Sequence, residues 1–134
     1  MKNLLLFVAL VISFHVSGYQ TPVKSDLTIS QKNNTDPGFS FLRGHKQGKN
    51  GYALQWSMTT TSGIVHYEIQ STYEDPYDIY SNWTNEGIAL NNRSNIVKFT
   101  HESVLPGMIS YRVIAILNNG GANIVSEIYS TTIE

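Results

Sequence analysis

Gly51-Tyr52-Ala53-Leu54-Gln55-Trp56-Ser57-Met58 and, after a turn, Ile64-Val65-His66-Tyr67-Glu68-Ile69-Gln70-Ser71 decide how the rest of the chain is read. In the first run Tyr52, Leu54 and Trp56 occupy every second position. In the second, Val65, Tyr67 and Ile69 alternate with His66, Glu68 and Gln70. Successive side chains of a strand leave opposite faces, so a period of two marks strands with one buried side. The expected core is therefore Tyr52, Leu54, Trp56, Val65, Tyr67 and Ile69. Farther on, Tyr111, Val113, Ala115 and Leu117 take the inner side of another strand, and Ser110, Arg112, Ile114 and Ile116 the outer. That outer face is unusually apolar for a surface exposed to water.

Working outward, no stretch of a dozen residues holds helical spacing, and short alternating runs separated by turn residues continue to the C-terminus. Seven strands are expected: Phe39 to His45, Gly51 to Met58, Ile64 to Ser71, Ile79 to Thr84, Ser94 to Thr100, Ile109 to Leu117 and Asn123 to Ile133. Seven short strands suit a two-sheet sandwich. Asn50-Gly51 and Asn119-Gly120 tolerate positive φ and are expected at hairpin turns. Leu105-Pro106-Gly107 separates the fifth and sixth strands.

The N-terminus reads differently. Lys2 precedes the uncharged run Leu4 to Phe14, and the small residues Ser17 and Gly18 follow, which is the form of a secretory leader and too short to span a bilayer. Cleavage is expected after Gly18, which makes residues 1–18 the signal peptide and the mature protein secreted, without a membrane anchor. Residues 19–38 are rich in Gln, Thr, Ser, Asn and Asp and read as a flexible spacer, with an edge strand conceivable at Asp26 to Ser30. Residues 39–134 form the domain.

Charge and composition exclude several functions. The chain has nine Lys and Arg, one of them Lys2 in the leader, against ten Asp and Glu, so the mature protein carries a formal charge of about −2. No two basic residues adjoin, which argues against nucleic acid as a partner. Cysteine is absent, so disulfides, thiolate catalysis and cysteine-ligated zinc are impossible. The tripeptides at Asn33, Asn82 and Asn92 fit the N-glycosylation pattern and carry meaning only in a eukaryotic secretory route.

In order along the chain, Leu54-Gln55-Trp56, His66-Tyr67-Glu68-Ile69-Gln70, Phe99-Thr100, Leu105-Pro106-Gly107, Tyr111-Arg112-Val113 and Ser126-Glu127-Ile128 resemble the fibronectin type III modules found in exported proteins of Bacteroidetes-type bacteria. The resemblance covers Phe39 to Glu134 and implies an all-β, seven-stranded antiparallel immunoglobulin-like sandwich. It also implies that Trp56 fills the centre, that the Tyr111 hydroxyl reaches back to the connection before it, and that the third and sixth strands are neighbours. The family has no common active site, so the resemblance implies binding or structural work. The chain lacks an Arg-Gly-Asp tripeptide and a C-terminal sorting domain, and the module is expected to stand alone.

Candidate chemistry is sparse. His45, at a strand end, His66, facing outward, and His101, in the corner connection, lie on separate elements and are expected to be solvated or structural rather than zinc ligands. No Gly-x-Ser-x-Gly elbow or nucleophile-base order can be traced, so no catalytic residue and no cofactor is expected. The glycines of 48–51 and 120–121 read as turns. Glu74-Asp75-Pro76-Tyr77-Asp78 matches no standard calcium loop and reads as a proline-braced turn. Tyr73, Tyr77, Tyr80 and Trp83 crowd one stretch beside Asp and Asn, the mixture that holds proteins or sugars on shallow surfaces. The alternative is that Tyr80 and Trp83 turn inward to close the core.

The expected binding residues are Tyr77, Tyr80, Trp83, Arg112, Ile114 and Ile116. An ordinary wet sheet carrying a Glu68 to Arg112 pair is the plainer reading of that face. The function expected is a secreted, non-catalytic interaction or structural module meeting a protein or a cell-surface glycan, with weak homo-oligomerisation possible. A stand-alone carbohydrate-binding module and an inhibitor or accessory subunit of an extracellular enzyme are the alternatives.

Overall fold

The computed structural model describes residues 36–134; the leader, most of the spacer and the strand conceived at 26–30 lie outside them. All regular elements described are strands: β1 (Phe39–Gln47), β2 (Gly51–Met58), β3 (Ile64–Thr72), β4 (Thr84–Leu90), β5 (Ile96–His101), β6 (Gly107–Leu117), β7 (Ile124–Val125) and β8 (Tyr129–Ile133). They form two antiparallel sheets in a sandwich-like arrangement, one in the order β1-β2-β5 and the other β4-β3-β6-β7, with β8 also on β6.

The inner faces meet over one core. Trp56 is fully buried and presents an edge contact to Tyr67 at 5.3 Å between ring centroids, while Tyr52 stacks on Tyr111 at 5.8 Å. Such pairs add to the area each aromatic buries. Leu54, Ile69, Ile109 and Val113 fill the remainder. The alternation expected in β2 is present, in β3 it holds from Tyr67 to Ser71, and in β6 from Tyr111 to Ile116, whereas Ser110, expected on the outer side, is buried against the Ser130 hydroxyl at 2.7 Å. Val65 also departs from the alternation. The register with β6 slips between Ile64 and His66, so Ile64 takes the core position and Val65 is exposed.

Two strands differ from expectation for physical reasons. The fourth is Thr84–Leu90 rather than Ile79 to Thr84, because turns centred on Asp75 and Asp78 claim residues 75–81. The last is interrupted. Ile124 and Val125 pair with Ala115 and Ile114, and Tyr129 to Ile133 pair with Tyr111 to Gly107, so three residues, Ser126, Glu127 and Ile128, face only two on β6. A one-residue excess reverses the sides of every following residue. Val125 thus points outward while Tyr129 turns in, where its hydroxyl meets Tyr52 Oη at 2.8 Å and donates to Gly44 O at 3.2 Å. Ser126 covers the irregularity: its hydroxyl accepts from Val113 N at 2.9 Å and donates to Glu127 O at 2.8 Å.

Positive φ falls on Gly48 (68°) rather than on Asn50-Gly51, whereas Gly120 (67°) lies where Asn119-Gly120 places it. The last residues assigned to the spacer also belong to the sandwich: Thr59 Oγ1 accepts from Gly38 N at 2.9 Å and donates to Asp36 O at 3.0 Å, and Thr59 N donates to Gly38 O at 2.8 Å. A chain starting at Phe39 is therefore expected to melt a few degrees below one starting at Asp36, since it loses these exposed bonds, each worth about 1 kcal/mol or less. Equal calorimetric melting temperatures would show that residues 36–38 contribute nothing.

Candidate functional site

The loop between β3 and β4 is built from its acidic residues. Asp75 Oδ1 accepts from Tyr77 N at 3.0 Å and Asp78 Oδ1 from Tyr80 N at 2.9 Å, the side-chain turns that Asp favours. Backbone bonds Asp78 N to Asp75 O and Ser81 N to Asp78 O, both 3.1 Å, close two successive turns. Ser81 Oγ donates to Asp75 O at 2.6 Å, and Glu74 clasps the far side by accepting from Asn82 N at 2.8 Å. With its backbone committed to these bonds, the loop holds Tyr77 (79% exposed), Ile79 (87%) and Tyr80 (84%) out in water.

Trp83 does not turn into the core. It lies on the outer side of the five-stranded sheet with the Arg112 guanidinium 4.0 Å from its ring centroid, a cation–π contact. Arg112 Nε also donates to Gln70 Oε1 at 2.8 Å, and burial lowers the pKa of the guanidinium. Ile114 and Ile116 stand opposite Glu68 and His66, half-buried on the same outer face. The expected Glu68–Arg112 pair is absent because Arg112 faces Gln70; Glu68 instead lies 3.7 Å from His66.

The register adds residues that sequence reasoning missed. β4 places Ile88 opposite Glu68 and Leu90 opposite His66, and β7 places Val125 opposite Ile114. These three are 57%, 77% and 52% exposed, more than the isoleucines between them. One signal was available in Ile88-Ala89-Leu90, whose alternation sends the small residue inward. Of the six residues expected to bind, Trp83, Arg112, Ile114 and Ile116 are therefore on one sheet face, and Tyr77 and Tyr80 are on the loop that enters it through Trp83.

Tyr73 has a different task from its loop neighbours. Its hydroxyl accepts from Leu105 N at 3.0 Å and donates to Leu105 O at 3.3 Å, pinning the β5–β6 connection. The Tyr111 hydroxyl, expected to reach that connection, bonds His101 Nδ1 at 3.0 Å instead, and burial pushes its pKa well up.

His101 is the last residue of β5 and turns inward, not out into the corner. Its Nε2 lies 3.1 Å from Glu86 Oε2, and the other carboxylate oxygen accepts from Ser71. Glu86 reaches this place because β4 bulges there: Asn85 pairs with Gln70 and Gly87 with Ile69, leaving Glu86 as the extra residue. Gly87 has φ 155°, and a Cβ on it would come 2.8 Å from the Phe99 ring. The resulting chain Ser71–Glu86–His101–Tyr111 ties one sheet to the other. Its order does not make a nucleophile, since a serine is activated by an imidazole and here meets a carboxylate, with both imidazole nitrogens occupied.

Comparison with protein-family models and with the curated proteins finds no match. The chain's own geometry therefore carries the functional reading. His45 lies within β1 on an exposed position and His66 on the outer sheet face. Among the described residues no three His, Asp or Glu side chains converge as a metal site would require. At the end of the sandwich formed by the β2–β3, β4–β5 and β6–β7 connections there is a polar groove of about 460 Å³, lined by Thr60, Thr61, Ser62, Asn91, Arg93 and Asn118.

Proposed function

We propose that the chain is a secreted, non-catalytic module with a fibronectin type III-like sandwich, working by presenting the outer face of its five-stranded sheet and the adjoining loop to a partner. Counting β7 and β8 as one bulged strand leaves seven strands divided three and four, which supports the family reading. The observation that carries the functional reading is the turn-locked loop, which holds Tyr77, Ile79 and Tyr80 almost fully exposed. Rigid aromatic side chains bind with little loss of conformational freedom, and apolar patches rimmed by polar groups mark association sites. An inhibitor or accessory subunit of an extracellular enzyme would use such a surface equally well.

Ile88→Thr with Leu90→Thr tests the sheet face directly. Both side chains are exposed, so the melting temperature is expected to stay within a few degrees while affinity for a captured protein partner falls about tenfold or more. Ile114→Thr with Ile116→Thr is expected to act in the same direction at some cost in stability, because those residues are half-buried. Unchanged binding by the Ile88, Leu90 variant would remove the sheet face from the account. A second reading, a carbohydrate-binding module, is favoured by the polar groove, whose hydroxyl, amide and guanidinium groups suit sugar hydroxyls. Glycan-array binding lost on Arg93→Ala and retained on Tyr80→Ser would establish that reading.

A further inference from the structure

Over residues 37–92 the charges are segregated along the chain. From Pro37 to Tyr67 there are three cations, Arg43, Lys46 and Lys49, and no carboxylate; from Glu68 to Asn92 there are five carboxylates and no Lys or Arg. The three cations fall on β1 and the β1–β2 turn of the three-stranded sheet, and three of the carboxylates, Glu74, Asp75 and Asp78, fall on the loop that leaves β3 of the other. A cationic sheet face and an anionic loop on one molecule are complementary to each other in a second copy.

The outer face of the β1-β2-β5 sheet has the form such a contact needs. The register aligns Arg43, Gln55 and Lys98 in one row and His45, Ala53 and Thr100 in the next, and no outward position on this sheet is acidic. Small Ala53 between taller neighbours leaves a depression of about 190 Å³ bordered by His45, Gln47, Lys98 and Thr100. Arg43 is held in place, its guanidinium 4.8 Å over the Phe41 ring and, with the Gln55 amide oxygen turned toward it, bonded through Nε at 2.6 Å. Among the described residues the carboxylates that lie within 4 Å of a basic side chain are Glu68, beside His66, and Glu86, beside His101, so neither Arg43 nor Lys98 has a carboxylate partner there.

We infer that the protein associates with itself head to tail, the Tyr77, Ile79 and Tyr80 side chains of one copy seating on this depression of the next, with Asp75 and Asp78 beside Arg43 and Lys98. The inference rests on the loop being a contact surface and names its partner as a second copy of the chain. Each Asp uses one carboxylate oxygen for its turn, which leaves the other for the cation across the interface. The two patches differ and lie on different sheets, so both can be filled at once, and a contact of this kind propagates as an open chain or closes as a ring. A loop on a shallow depression is a small interface, and the association is correspondingly weak and dependent on salt.

Sedimentation velocity of the chain from Tyr19 to Glu134, over a wide range of concentration, tests this. The average mass is expected to rise with concentration at low salt and to return to that of a monomer at high salt. Tyr77→Ser with Tyr80→Ser, and separately Arg43→Glu with Lys98→Glu, are each expected to weaken association about tenfold or more. All four side chains are exposed, so melting curves should match the parent. Each variant keeps one intact half, so mixing the two is expected to restore a one-to-one pair that grows no further. A monomer at every concentration, association undiminished in either variant, or a mixture that stays monomeric would overturn the inference. The recognition of a different partner is read separately by the Ile88, Leu90 variant, which leaves both halves of this contact intact.

Discussion

Trp56→Ala is expected to leave the domain unfolded or melting tens of degrees below the parent. The indole is fully buried at the centre of β2, between Leu42 of β1 and Val97 of β5 in the register, and it meets the Tyr67 ring of the opposite sheet in an edge-type contact. Removing a large buried aromatic typically costs ~3–5 kcal/mol, against a total stability of ~5–15 kcal/mol. In a domain of this size each kcal/mol shifts the midpoint by roughly 4–8 °C. The indole Nε1 has no hydrogen-bond partner among the described residues, so its removal breaks no hydrogen bond and relieves a buried unpaired donor, which offsets only part of the packing loss. Calorimetry that finds a melting temperature within a few degrees of the parent would contradict this core.

Gly44→Val is the second large effect. Gly44 pairs with Leu54 on the inner side of β1, and a Cβ there would overlap the Tyr52 ring, lying also 3.0 Å from Leu54 Cδ2 and 3.2 Å from Ala53 O. An edge strand can normally shift to relieve such crowding. Here the Gly44 carbonyl accepts from Tyr129, whose hydroxyl also meets Tyr52, so moving β1 breaks a contact with β8. Overpacking of this kind costs about 1–3 kcal/mol, and the branched side chain places it at the upper end. A fall in melting temperature of roughly ten degrees or more is expected. Parent-like melting of Gly44→Val would mean that β1 does not lie close against Tyr52.

The alternation of β2 and β6 made most of the sandwich legible, because an uninterrupted period of two needs nothing beyond side-chain type to assign a face. Legibility failed wherever a strand carries an extra residue. Val65, Glu86 and Ser126–Ile128 each break the period, and in a single sequence a bulge is indistinguishable from a turn or from a shift of phase. Thr84-Asn85-Glu86-Gly87 therefore resembles a loop, although Gly87 marks the bulge that aims Glu86 at His101. The outer face was half legible: Ile114 and Ile116 stood out in β6, but only the register brings Ile88, Leu90 and Val125 beside them. His101 was expected in the corner connection, and its inward position escaped notice because its partners Glu86 and Tyr111 come from two other strands.

The most direct test of a domain that acts through its five-stranded face and loop is site-specific photo-cross-linking in the native cell, with a benzophenone side chain placed in turn at Tyr80, Leu90 and Ser62. Tyr80 and Leu90 lie on the proposed surface, and Ser62 lines the polar groove at the end of the sandwich. The account predicts discrete cross-linked macromolecular products from positions 80 and 90 and none from 62. Products from Ser62 alone, or none from any position, would contradict it.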